Sequence, residues 1–309
     1  MPTRTPSAVV PTPEPSFDVA GTWTVGPALP EARSEHAVAT LDGWIYAAGG
    51  YIDRQTSDSF VGLDVAEGTW SELAALPERR DHTAMVGLDG AVYLVGGIIQ
   101  GLGAFRADVW RYDPATGAWT AVAQLPRPRA FHAATVLDGA IYVVGGIERP
   151  RDRPTPTLRY DPGADAWTEL APIPTEREHL AAAALDGLVY AISGRLASNL
   201  GAVEAFDPAT GTWSRVADLP TPRSGLAAAI LDGRLHVLGG ESADPARIYA
   251  SHEVFDPATG TWITAVPLPR GRHGFGAVVL DGRLWVVGGG PNPDLSASDL
   301  VERFDPAGG

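Results

Sequence analysis

The sequence predicts an all-β chain: a six-bladed β-propeller of four-stranded antiparallel blades, its ring closed by the N-terminal strand. Three observations predict it. A Trp-bearing segment recurs six times, with Trp spacings of 47, 49, 48, 46 and 49 residues. Each copy carries four strand-like stretches divided by turn signals. The last copy lacks one strand, and that strand stands at the other end of the chain. Self-similarity at this period means a stacked or radial architecture, and four antiparallel strands per unit describe propeller blades.

The elements follow in order. The segments are GTWTVGPALP at Trp23, GTWSELAALP at Trp70, GAWTAVAQLP at Trp119, DAWTELAPIP at Trp167, GTWSRVADLP at Trp213 and GTWITAVPLP at Trp262. Each Trp is expected to pack between neighbouring blades, where one ring buries roughly 150–250 Å². After each Leu/Ile-Pro comes a stem Arg: Arg33, Arg80, Arg129, Arg177, Arg223 and Arg272. Four positions on the residue is always small (Ala37, Ala84, Ala133, Ala181, Ala227, Gly276), as innermost strands crowding the axis require. Leu-Asp-Gly follows each Arg by eight positions. Asp-Gly is a two-residue hairpin signal, because Gly tolerates the positive φ of a type I′ turn. A turn role explains each of these Asp residues without a metal or a reaction.

The next strand ends in Gly-Gly in five units (Gly49–Gly50, Gly96–Gly97, Gly145–Gly146, Gly239–Gly240, Gly288–Gly289) and in Ser193–Gly194 in the fourth. A variable loop leads to an apolar strand that ends in aromatic-Asp-Pro. In Asp-Pro-Ala-Thr-Gly the Pro cannot sit mid-strand, so a turn leads back to the Trp strand. In the third unit the four stretches are FHAATVL, AIYVVGG, then VWRYDP from the adjoining unit, and AWTAVA. The last unit stops at Phe304-Asp305-Pro306-Ala307-Gly308-Gly309, where Gly-Thr-Trp is due; Gly21-Thr22-Trp23 supplies it. Such closure removes the open sheet edge of a linear array.

The boundaries read as a disordered Pro/Thr/Ser-rich tail over residues 1–16 and a propeller over 17–309. A chain of 309 residues can bury roughly 75% of its extended surface, so it needs no staples. It has no Cys, which excludes disulfides, thiolate metal sites and cysteine nucleophiles. The net charge of −14 argues against nucleic acid as a partner. No apolar run approaches 18 residues, so no membrane insertion is expected. The compartment is not legible, although a Pro-rich spacer behind an anchor outside this sequence would suit an extracytoplasmic setting. A monomer is expected.

The Gly-Gly after a Tyr-bearing strand (Tyr46, Tyr93, Tyr142, Tyr190), the aromatic-Asp-Pro, the Trp about seven residues later and LPxxR resemble the kelch-repeat family. Leu63 replaces the aromatic in one unit, and His236 and Trp285 replace the Tyr in two. The resemblance spans about residues 17–309 and implies the six-bladed ring. Copper enzymes of the galactose-oxidase kind depend on a Cys-linked Tyr that this chain cannot make. The Glu-x3-Asp-x3-His iron motif of nitrile-specifier relatives is not present. A sialic-acid mutarotase-like relative needs an Arg and an acid at the channel, which Arg177 with Glu178 would imitate. No P-loop, dinucleotide Gly fingerprint or HExxH occurs, and no cofactor is expected.

Function is expected on the face that carries the LPxxR stems and the variable loops, Tyr51–Ser59, Ile98–Ala107, Ile147–Thr157, Arg195–Ala202, Glu241–Ser251 and Pro291–Asp299. Arg is concentrated there, and Arg suits bidentate recognition of carboxylate or phosphate. The candidates at the channel mouth are Arg33, Arg80, Arg129, Arg177, Arg223 and Arg272 with His82, His132 and His179. The alternative for the six Arg is to brace the loops through backbone carbonyls and local acids. Five His follow the stems within three residues (His36, His82, His132, His179, His273) and form a weak metal collar. Their offsets differ, so like-oriented members fall on non-adjacent blades. Glu35, Asp81 and Glu178 beside them are candidate acids or bases. Tyr51, Phe105, Trp110, Phe131 and Tyr249 are candidate anchors. The expected function is a non-enzymatic binding module that holds an acidic ligand, peptide or protein. The alternative is an enzyme with its site in the funnel.

Overall fold

A computed structural model of the chain describes residues 18–99 and 103–307. The expected tail over residues 1–16 lies outside the described residues. Six four-stranded antiparallel sheets form the blades. The first, from the axis outward, is Ala37–Leu41, Trp44–Ala48, Phe60–Asp64 and Thr69–Glu72; the others repeat it. In the sixth blade the outermost strand is Gly21–Val25, antiparallel to Val301–Pro306 with Trp23 opposite Phe304. The ring therefore closes as expected. A repeat counted from its aromatic-Asp-Pro straddles two blades: VWRYDP and AWTAVA end the second blade, and FHAATVL and AIYVVGG begin the third. Among the described residues no helix is long and apolar enough to cross a membrane.

The repeated residues build three rings of hydrogen bonds between blades. On the outside, each repeat Trp donates Nε1–H to a carbonyl in the segment leaving the preceding blade. The acceptors are Val266 for Trp23, Pro27 for Trp70, Ala74 for Trp119, Ala123 for Trp167, Ala171 for Trp213 and Ala217 for Trp262, at 2.7–3.0 Å. Nearer the axis, the second residue of each strand-ending Gly pair donates its N–H to the carbonyl of the next blade's stem Arg, as Gly50 does to Arg80 at 2.8 Å. Only Gly serves there: Gly50 has φ 82°, and a Cβ would stand 2.4 Å from the Ser34 carbonyl oxygen.

The innermost ring is a collar two residues past each stem Arg. Glu35, His82, Phe131, His179, Gly225 and Gly274 all take left-handed backbone, with φ between 46° and 60°. Each donates its N–H to the carbonyl of the preceding member, and Glu35 donates to Gly274, at 2.7–3.2 Å. Six backbones are thus tied head to tail around the axis at the point where the chain turns into its innermost strands. The six Leu-Asp-Gly turns carry positive φ at both Asp and Gly, as a type I′ hairpin requires. The small residues at the head of the inner strands are needed: a Cβ on Gly276 would fall 2.2 Å from the Val38 side chain.

Candidate functional site

The collar divides the axial channel. Above it, on the variable-loop face, lies a funnel of about 390 Å³ lined by Tyr51, His82, Ile98, Phe131, Ile147, Arg149, Arg151, Glu178, His179, Arg195 and Leu196. At the collar and just below it a chamber of about 120 Å³ includes Glu35, His36 and His132. Because Gly225 and Gly274 carry no side chain, only four collar residues reach the axis: Glu35, His82, Phe131 and His179.

These four make contact. The His82 and His179 rings lie 5.1 Å apart and nearly perpendicular, and Phe131 stacks on His179 at 4.7 Å. Polar partners hold the imidazoles from outside. Asp81 Oδ1 is 2.6 Å from His82 Nδ1, and Asp81, itself fully buried, accepts the Thr56 hydroxyl at 2.5 Å. Glu178 Oε1 is 3.1 Å from His179 Nδ1 and accepts Arg195 Nε–H at 3.0 Å. Arg195 also reaches Glu241 at 3.1 Å. Glu35 stands 3.4 Å from His82 Nε2 and 3.4 Å from His273 Nδ1.

The charges respond to that crowding. Burial would raise the Glu35 pKa, but the facing His82, His273 and His179 outweigh it and hold the carboxyl well below the usual range. Glu178, opposed in the same way by burial, is drawn down to about 2 by His179 and Arg195. Burial disfavours charge on His82, yet Glu35, Asp81 and Glu178 overcome it and raise its pKa. At His179 burial wins, helped by His82 and Arg195, and the pKa falls. The His pair is thus split between a ring that gains protons and one that loses them.

The structure corrects the expectation for the stem Arg residues. Arg33, Arg80, Arg129, Arg177, Arg223 and Arg272 are all fully or almost fully buried, and none lines the funnel. Each guanidinium turns back into its own blade. Arg177 donates to the Ala191 carbonyl and to Glu204 Oε2 at 2.6 Å, Arg129 to Glu148 at 2.5 Å, Arg223 to Glu253 and Arg272 to Glu302. Arg80 pairs with Glu78 and Asp108, and Arg33 bonds Ser59 Oγ. The physical reason is the buried acid at the start of the third strand, which in three blades is Glu204, Glu253 or Glu302. The recurring Glu-x-Phe-Asp of those strands was the signal for it.

The His candidates separate by offset, as strand alternation requires. His82 and His179 meet at the axis, while His132, expected at the mouth, lies below the collar with His36. Burial, aided by the nearby Arg129 and Arg33, lowers both of these to about 3. His273 faces Glu35 and Glu241 and places Nε2 3.1 Å from the Asn292 carbonyl. The five therefore do not form one collar. The acid Glu178 does face the funnel, but the Arg beside it is Arg195 of the variable loop, not Arg177. Arg149, Arg151 and Arg195 are the funnel's cations, and the guanidinium of Arg149 sits 4.8 Å over the Phe105 ring. Of the expected anchors, Tyr51 and Phe131 line the funnel, Tyr249 lies under Arg247, and Trp110 packs into the core.

Comparisons with known proteins agree with this architecture. The KLHDC2/KLHL20/DRC7 Kelch-repeats domain matches residues 19–146, and the Kelch motif matches residues 128–174, 176–220, 222–269 and 271–309. No curated protein matches the chain. A solved structure titled "Structure of YjhT" shares the fold with a TM-score of 0.76 at 20% identity, over 90% of this chain and 97% of that one.

Proposed function

From the premise that the chain belongs to the kelch-repeat family of β-propellers, we propose that it is a binding module that takes an acidic ligand into the axial funnel. The ligand is a carboxylate-bearing small molecule or an acidic side chain or terminus of a peptide or protein. The observation that carries this reading is the composition of the funnel wall. Its volume suits a small ligand or one or two inserted side chains. Arg149 and Arg151 stand on its rim beside apolar Ile98, Ile147 and Phe131. Among the described residues Arg149 has no carboxylate partner, and Arg151 has only the half-buried Glu176 at 3.4 Å. Those guanidinium donors are available to a bidentate acid. The six stem Arg residues are buried and turn their guanidinium groups into the blades, away from the funnel.

The test is ligand-observed NMR on the full chain with carboxylate-bearing sugars and acidic peptides, each beside its neutral amide. Binding is expected for the acids, weaker as salt rises, and at least about tenfold weaker in the Arg149→Glu/Arg151→Glu double variant. Equal binding of the amides, or a variant that binds as before, would sink the proposal.

An enzymatic reading draws on one observation: an acid–base set faces the same funnel. His82 lies between Asp81 and Glu35, and Glu178 is held by Arg195 beside His179. Such groups can take and return a proton at a sugar hydroxyl, as a mutarotase-like reaction needs. Accelerated anomeric exchange of an acidic sugar, abolished by His82→Ala, would place this reading ahead.

A further inference from the structure

We propose that Glu35, His82 and His179 bind a divalent transition-metal ion, of the zinc or cobalt class, on the propeller axis. This goes beyond the acidic-ligand reading and does not depend on it. One ligand atom from each of the three residues lies within 4.8 Å of the others. A metal about 2.1 Å from each ligand holds them roughly 3.4 Å apart in tetrahedral geometry. Glu35 Oε2 and His82 Nε2 already stand 3.4 Å apart. The His179 side has to close from as much as 4.8 Å to about 3.4 Å, and the Arg195 guanidinium, 3.2 Å from His179 Nε2, has to withdraw.

The second observation is what holds the imidazoles. A metal-bound His almost always donates its other ring N–H to a carboxylate or carbonyl, which fixes the ring and raises its basicity. Both rings have this arrangement on Nδ1: Asp81 at 2.6 Å on His82 and Glu178 at 3.1 Å on His179. The two carboxylates are anchored in turn, Asp81 by Thr56 and Glu178 by Arg195. Nε2 is then the ligand atom of each ring: on His82 it faces Glu35 at 3.4 Å, and on His179 it lies 3.2 Å from Arg195 Nη2, which an incoming ion displaces. Every level from backbone collar to outer carboxylate therefore positions two nitrogens and one oxygen from three different blades.

Charge points the same way. Glu35, Asp81, Glu178 and Glu241 meet around the throat, and among the described residues Arg195 is the one guanidinium bonded into that group. A divalent ion offsets that excess of carboxylate charge. Two nitrogens and a carboxylate on one side leave coordination positions open toward the funnel above and the chamber below.

The measurement is titration of chelator-stripped full-length chain with Co²⁺ alone, followed by visible absorption and native mass spectrometry. The expected result is one chelator-reversible equivalent with ligand-field bands of low coordination number. His82→Ala and His179→Ala should each weaken binding at least about tenfold, and Asp81→Asn, which acts only through His82, by roughly 10–100-fold. Should the Ala variants fail to fold, Glu35→Gln and Asp81→Asn decide the matter with the collar intact. No binding up to millimolar Co²⁺, or an equivalent that survives these substitutions, overturns the site. Acidic-ligand binding that persists in chelator would leave the binding module standing while this site falls.

Discussion

His36 and His132 stand one residue past the collar, where neither ring reaches the funnel and burial keeps both neutral. The same holds for the buried pair formed by His236 Nδ1 and His252 Nε2 at 2.8 Å, whose second member also bonds the Val266 carbonyl. Burial, with His252 and Arg234 acting in the same sense, lowers His236 to about 3. Burial, with Arg223 acting in the same sense, lowers His252 to about 4. A base whose folded pKa lies below its ordinary value of about 6.5 contributes stability above that pH and loses it as pH falls. His82 and His273 have the opposite sign: their folded pKa values are raised, so their contribution is present below about pH 6.5 and fades as pH rises through those values. At pH 5 both of these are protonated folded or unfolded, and the five depressed His (His36, His132, His179, His236 and His252) dominate. Unfolding should then take up about four protons or more near pH 5. The melting temperature should fall steadily between pH 6.5 and 5, before ordinary carboxylates titrate. Calorimetry across that window checks the slope, and a flat profile would contradict the burial of these rings.

At the scale of the element, each stem is fastened to its own blade by its Arg. Arg177 ties the segment before the fourth blade's inner strand to the second strand at Ala191 and to the third at Glu204. Removing one partner of a buried pair leaves the other charge unpaired, at a cost of about 3–5 kcal/mol. Arg177→Ala is expected to destabilise by that amount in chemical denaturation. Arg177→Met with Glu204→Leu should recover most of it, because neither charge then remains. If the double variant is no better than the single, the pair is not the stem's anchor. This brace is also why the Arg column repeats without being a site. The column that matters for the site is two residues on, where the repeats read Glu, His, Phe, His, Gly and Gly. Two Gly in register there were the signal for left-handed backbone. With strand alternation alone in hand, the collar could not be inferred, because its hydrogen bonds run between residues some fifty positions apart.

At the scale of the molecule, the ring is closed by Gly21–Val25. Its Trp23 packs on Phe304 with centroids 5.2 Å apart and bonds Val266 of the fifth blade's exit segment. Deleting residues 1–23 removes that Trp and leaves the edge of Val301–Pro306 unpaired. A fall of more than about 10 °C in melting temperature is expected, given that roughly 1 kcal/mol moves the midpoint by 2–4 °C in proteins of 150–250 residues and several contacts are lost. An unchanged midpoint would show that the strand does not close the ring.

The sequence by itself determined the repeat, the blade count, the closing strand, the turns and the face that varies. Each of these follows from local chemistry repeated from unit to unit: Asp-Gly for a tight hairpin, Gly-Gly (Ser-Gly in the fourth unit) for a close backbone approach, and Trp for a seam. Tertiary structure alone decided which side chains face the axis. The Arg ring was legible as a ring but not in direction, since direction depends on acids about thirty residues downstream. Glu35, His82, Phe131 and His179 come together because a six-fold backbone collar points these four side chains at one axis. That convergence is a property of the closed ring and of no single repeat.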